Sequence, residues 1–264
     1  MTTLSYERYR AQVAAQLESL RATLDGADLS VTVPTCPDWT LDQLVRHVGG
    51  AVRWVELHVR TRAKENIPDS QVPGFAGPEE GGVAALDAWL AETAEMFDAT
   101  LRGAEADTPV WTWAGEATAG FWARRMTHEV AIHRADAAIA VGAAYELAPD
   151  VGADALDEWL EIVDYVQHVV KADKAAGLTG DGRVLQLCAT DAGAGLGAEW
   201  VVTLGPEGVA WRRGRDPEAD VVLRGPLTEV LLAFYRRRPL SSGRVEVVGD
   251  RGLLEFWLER ASFG

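Results

Sequence analysis

The chain has 264 residues, enough for one large domain or two, and 48% of them are hydrophobic, ample material for packed cores. Forty Asp and Glu against 25 Lys and Arg give a net charge of −15, which repels phosphate backbones and anionic lipid and argues against a nucleic-acid or membrane-surface role. No apolar run approaches the roughly 20 residues of a membrane span, MTTLSYERYR lacks a signal-peptide core, and Cys36 and Cys188 make no disulfide framework, so a soluble cytoplasmic protein is expected.

From Leu4 to Leu24, Val13, Leu17, Leu20 and Leu24 recur at helical spacing, and Asp25-Gly26 stops the pattern. VPTCPDWT, with two prolines, reads as an ordered and extended connector. Thr40 and Gln43 form a capping box that opens a second helix, LDQLVRHVGGAVRWVELHVRTR. Gly49-Gly50 within it is unfavourable for a helix and implies close approach of another backbone or a local bend. Its face Thr40, Leu44, His47, Ala51, Trp54 turns a histidine inward. The Pro- and Gly-rich stretch from Ile67 to Gly82 is a surface connection, long enough to be functional or mobile. A third helix runs from Val83 to Leu101, and the Trp-rich connector DTPVWTWAGEATAG leads into a fourth, within Thr118 to Ala140.

A fifth helix is expected from Val151 to Lys171. The period then falls to two in VLQLCAT, EWVVTL, GVAWRR and ADVVLR. PLTEVLLAFYRRR is a helix opened by Pro226, followed by the strand RVEVV and the helix GLLEFWLER. GAGLG, at 193–197, precedes a strand rather than a helix and is read as a hairpin turn, not a dinucleotide loop. The expected fold is α+β: a four-helix bundle over residues 1–148, then a small α+β domain with a mostly antiparallel sheet over 149–264.

The fourth helix carries the chemistry. FWARRMTHEVAIHRADA places Trp122, Met126, Glu129, His133 and Asp136 on one stripe. A carboxylate and an imidazole on an inward stripe must be paired or metal-bound. His128-Glu129 imitates the zinc-protease pattern H-E-x-x-H, but His133 comes one residue too late, about 140° from His128 around the helix. Glu129 and His133, four apart, can grip one ion, with His47 of the second helix as third ligand and a position left for water or substrate. The competing reading makes His47 a core histidine and Glu129 the ion-pair partner of Arg125. His128 is expected to pack at a helix interface, and His58 and His168 to have packing or surface roles. Asp136 either orients a ligand or pairs with Arg134 or Arg125, and Cys36 is read as a small buried hydrophobe outside the ligand set. Arg236, Arg237 and Arg238 end a helix, where cations suit the dipole, yet three together in so acidic a chain invite an anion.

VPTCPDWTLDQLVRHVGG, FWARRMTHEVAIHRADA and the run from Leu227 to Arg260 resemble the mycothiol-dependent maleylpyruvate isomerase family, and the first half resembles the DinB-like metal-binding bundles. The resemblance extends over nearly the whole chain. It implies a divalent metal, zinc, on His47, Glu129 and His133, with mycothiol as the thiol cofactor and a C-terminal arginine, assigned to Arg237, for substrate. The expected partners are then a small thiol and a small electrophile, with no nucleic acid and no membrane. The expected chemistry is thiolate addition to an electrophilic alkene, ending in isomerisation or in S-transfer. A thiol-independent metal hydrolase and a non-catalytic binding or regulatory protein on the same fold are the alternatives.

Overall fold

The computed structural model describes residues 4–170 and 177–261. By its internal contacts the chain divides into two units, Met1–Tyr145 and Glu146–Gly264.

The first unit is a helix bundle: α1 (Tyr6–Thr23), α2 (Leu41–Thr61), α3 (Gly82–Arg102) and α4 (Ala119–Val141). Local chemistry sets their ends. The Ser5 side chain accepts from Arg8 N–H, Thr40 and Gln43 complete the expected capping box, and Thr118 accepts from Phe121 N–H. At the far end of α4, Gly142 takes the left-handed conformation (φ 72°) that a residue without a Cβ adopts at little cost. Each of α1 and α2 packs against both α3 and α4. Leu17, Leu20, Leu44, Val48, Leu90, Phe97 and Trp122 fill the space between them. Nearly every face of α4 is buried, from Trp122 to Ala138, so this helix lacks a polar side.

Gly49 and Gly50 are both explained by close approach. A Cβ on Gly49 would run into the Trp89 ring, and one on Gly50 would lie 2.8 Å from the Phe75 carbonyl oxygen. Phe75 belongs to the connection between α2 and α3, which is tied down along its length. Trp54 Nε1 donates to the Ile67 carbonyl at 2.7 Å, Trp89 Nε1 to that of Gly74 at 3.0 Å, and Arg46 Nη1 to those of Ala76 and Pro78 at 2.8 and 2.7 Å. His58 adds to this anchor: its Nε2 accepts from Ile67 N–H at 2.9 Å while Nδ1 donates to the Trp54 carbonyl at 2.7 Å. It is buried among Trp54, Trp111 and Trp122, so its role is packing and latching.

The VPTCPDWT connector is ordered and extended before each proline, as expected, and its two extended pieces pair. It forms a short antiparallel hairpin, β1 (Thr32–Val33) and β2 (Cys36–Thr40), whose turn carries Thr35.

The second unit is the expected α+β arrangement. Helix α5 (Pro149–Tyr165) starts with Pro at its first turn and ends sooner than expected, giving way to a π turn at Val166–Val170. The expected end of that helix, Lys171, lies outside the described residues. Within the π turn the Gln167 side chain is anchored at both ends: its Nε2 donates to the Leu178 carbonyl at 2.9 Å and its Oε1 accepts from Val209 N–H at 2.7 Å. A five-stranded sheet follows, built from β3 (Arg183–Ala189), β4 (Glu199–Gly205), β5 (Gly208–Arg213), β6 (Val221–Gly225) and β7 (Glu246–Gly249) in the order β5-β4-β3-β6-β7. Among the described strands only the β3–β6 pair is parallel. The segment at 193–197 joins β3 to its antiparallel neighbour β4, as a turn should. Helices α6 (Leu227–Phe234) and α7 (Arg251–Arg260) complete the unit. Buried Asp157 ties α5 to the sheet by accepting from Trp200 Nε1 at 2.7 Å and from the Arg213 guanidinium at 2.7 to 3.1 Å. No described helix is long and apolar enough to cross a membrane.

Candidate functional site

Helices α2 and α4 bring His47, Glu129 and His133 together within the bundle. His47 Nε2 lies 3.1 Å from Glu129 Oε1, and His133 Nε2 lies 3.2 Å from that same oxygen. The two imidazole rings meet nearly at right angles, 82°, with centroids 4.9 Å apart. One donor atom from each residue falls within 4.8 Å of the others. The other Glu129 oxygen accepts from Arg125 Nη2 at 3.1 Å. Glu129 thus makes the Arg125 ion pair with one oxygen and meets both histidines with the other. Exposure is graded across the triad, from 38% for the His47 side chain through 22% for Glu129 to 9% for His133. Solvent reaches the cluster from the His47 side, where the Trp39 ring lies 4.7 Å from that of His47.

Behind His133 stands Asp136, fully buried, with Oδ2 2.9 Å from His133 Nδ1. Its Oδ1 accepts from Thr35 Oγ1 at 2.6 Å, and Cys36 Sγ lies 3.7 Å from Oδ2. Burial is the largest single influence on both Glu129 and His133 and works against charge, but their mutual attraction and the surrounding hydrogen bonds together outweigh it. With further hydrogen bonds from His47 and the charge of Arg125, the Glu129 carboxyl is held well below the usual range. For His133, the charges of Glu129 and Asp136 and its hydrogen bonds to both push the pKa up to about 9.

Two of the three spacings match ligation of one metal ion as well as they match hydrogen bonds. Ligand atoms about 2.1 Å from one cation stand about 3.0 Å apart in an octahedral arrangement and about 3.4 Å in a tetrahedral one, and the two gaps onto Glu129 Oε1 lie between these. Two nitrogens and a carboxylate oxygen form a donor set that zinc accepts readily.

The first half of the chain, residues 10–138, matches the family model described as the mycothiol maleylpyruvate isomerase N-terminal domain, and residues 150–256 match the MDMPI C-terminal domain. The chain belongs to the mycothiol-dependent maleylpyruvate isomerase family. It is thereby grouped with thiol-dependent isomerases. Two solved structures share the fold of this family member. One is the crystal structure of a histidine-to-alanine variant of the mycothiol-dependent maleylpyruvate isomerase, with 17% identity, 94% of this chain and 95% of that one covered, and a TM-score of 0.58. The other is the unsubstituted enzyme, at 16% identity, the same coverages and a TM-score of 0.57. No curated protein matches the chain.

The remaining candidates separate clearly in this family member. His128 is buried away from the triad and packs edge-on against Tyr9 of α1, with ring centroids 6.3 Å apart, as its angle on the helix requires. His168 lies exposed in the π turn. The three arginines are not on a helix: α6 ends at Phe234, and Arg236 turns left-handed at φ 61°. Both Arg237 N–H and Arg238 N–H then bond to the Leu232 carbonyl, at 2.7 and 3.1 Å. Arg238 pairs with Glu229 at 3.0 Å, while Arg237 Nη1 donates to the Tyr235 carbonyl at 3.0 Å. Thr35 and Trp39 were not among the residues expected at the triad. Their only signal in the sequence was position, in a two-proline segment leading directly into the helix that bears His47.

Proposed function

We propose that this protein is a metal-dependent, mycothiol-using enzyme in which His47, Glu129 and His133 hold a divalent cation, zinc by its donor set. The observation that supports this best is the convergence of two imidazole Nε2 atoms on one carboxylate oxygen, at 3.1 and 3.2 Å, with the second oxygen tied to Arg125. A cation held there would supply the positive charge that keeps a coordinated thiol ionised near neutral pH. The chain's own groups do the rest. His133 and His47 do most to keep Glu129 ionised and Arg125 adds to them from the other carboxylate oxygen, Trp39 covers one side of His47, and the graded exposure leaves an approach for a small electrophile. Isomerisation of that electrophile is the reaction the family supports, with S-transfer as the variant in which the thiol adduct is retained.

Elemental analysis followed by mycothiol titration tests the reading. One equivalent of metal is expected, with mycothiol binding to the loaded form and not to the metal-free one. A loaded protein that neither binds mycothiol nor consumes an electrophile in its presence overturns it. Turnover that needs no thiol would instead identify a metal hydrolase.

Proton competition at His133 adds a pH dependence. Its pKa in the metal-free protein is raised to about 9, so a metal must displace a proton there at neutral pH. Metal affinity should rise about tenfold per pH unit and level off above about pH 9, read by chelator competition. The sign for stability is opposite. A raised histidine pKa contributes stability that is complete below the ordinary 6.5 and is lost as pH rises through about 9, so the metal-free protein should lose stability across that window.

For substrate recognition we assign Arg237, whose guanidinium is held by the Tyr235 carbonyl and offers the planar fork that suits a carboxylate. Arg237→Ala should raise KM for an anionic substrate by about tenfold or more with metal content unchanged. An unchanged KM removes Arg237 from substrate recognition.

A further inference from the structure

Asp136 lies one turn beyond His133, fully buried, where an ionised carboxylate is costly unless its oxygens are bonded. Both are. Oδ2 is 2.9 Å from His133 Nδ1, and Oδ1 accepts from the Thr35 hydroxyl at 2.6 Å. A carboxylate only accepts, so His133 must carry a proton on Nδ1. In the neutral ring this leaves the lone pair on Nε2, the atom that faces Glu129 Oε1 at 3.2 Å. A cation that replaces the proton on Nε2 would then lie between that lone pair and Glu129 Oε1.

We propose that Asp136, anchored by Thr35 of the β1–β2 hairpin, is the positioning residue that holds His133 with its Nε2 lone pair directed at the His47–Glu129 cluster. The inference rests on the metal reading of the triad and deepens it. It also assigns the hairpin a task, since the hairpin carries Thr35 to Asp136 across 101 residues of sequence. Cys36, His133 and Asp136 also bring donor atoms within 4.8 Å of one another. Here the Asp136 oxygens are already committed to Thr35 and His133, and a second ion would have to break the His133–Asp136 bond. One cation is therefore expected, with Cys36 outside its ligand set.

Cobalt(II) titration against a competing chelator, with the visible spectrum recorded, tests the proposal on the full chain. Wild type should take up one equivalent. Asp136→Asn, whose amide can present N–H to Nδ1 and so favour the wrong tautomer, should bind about 10- to 100-fold more weakly with an altered ligand-field spectrum. Thr35→Val leaves the carboxylate but frees one oxygen, and should weaken binding in the same direction by less, with the far-ultraviolet circular dichroism unchanged. A folded Asp136→Asn with wild-type affinity and spectrum overturns the proposal. If Asp136→Asn does not fold, Thr35→Val decides, and wild-type affinity and spectrum in that variant overturn it equally. So does a second bound equivalent whose sulfur-to-cobalt absorption disappears in Cys36→Ser. Failure of the wild type to bind cobalt is a separate result that overturns the metal reading itself and this inference with it.

Discussion

Glu129→Gln should abolish stoichiometric metal binding while leaving the helix bundle intact. Glu129 supplies the one negative charge among the three candidate ligands, and both histidines converge on its Oε1. The amide keeps the size but removes the charge, and breaks the ion pair between Glu129 and Arg125, which is 10% exposed. The loss of affinity should exceed the roughly 10- to 100-fold typical of changes outside the ligand set. Mycothiol binding should fall with it. Metal analysis after dialysis against a weak chelator reads the first effect, and thiol titration the second. His128→Ala is the matched control: it should keep its metal, because that ring faces Tyr9 rather than the triad. Normal metal and activity in Glu129→Gln would remove Glu129 from the ligand set, and metal loss in a folded His128→Ala would overturn the placement of His128 away from the triad.

Gly49→Ala should be the most damaging methyl group that can be added to α2. In an unobstructed helix the change from glycine to alanine stabilises by about 1 kcal/mol. Here the new Cβ would overlap the Trp89 ring, whose Nε1 is bonded to the Gly74 carbonyl at 3.0 Å and which has the Arg53 guanidinium 5.5 Å from its centroid. The ring has nowhere to retreat without releasing the connection between α2 and α3. Overpacking of this kind costs roughly 1–3 kcal/mol or more, so it should outweigh the propensity gain. The expected result is a clear fall in the denaturation midpoint of the first unit. A rise would mean that Trp89 repacks freely and that the glycine pair has another cause.

Helix existence, helix starts and the sharing of a face were all legible in the sequence, because they depend on residues within a turn of each other. The capping box at Thr40 and Gln43 is a three-residue relation, and it forms. Glu129 and His133 are four apart, so the same helical pitch that excluded His128 brings them side by side. The Gly49-Gly50 pair announced a close approach, since glycine is tolerated inside a helix where a side chain would not fit.

Other features were decided only by the packing of distant segments. The VPTCPDWT stretch looked merely extended, since its prolines restrict backbone angles but say nothing about pairing; the register Val33↔Cys36 made it a hairpin. The link from Thr35 to Asp136 joins residues 101 apart, and the alternatives for Asp136 could be settled only by which hydroxyl arrived. Helical spacing continued through Val166 to Val170, yet Gln167 is captured by Leu178 and Val209, and the α-helical hydrogen bonds give way there. The arginine run was plain, but the left-handed turn at Arg236 took it off the helix end, and the bond from Arg237 to Tyr235 followed from that turn. Local periodicity reports backbone geometry, which every helix or strand shares. Pairing between distant segments depends on which packed arrangement buries the most apolar surface with its polar groups satisfied, a property of the whole unit.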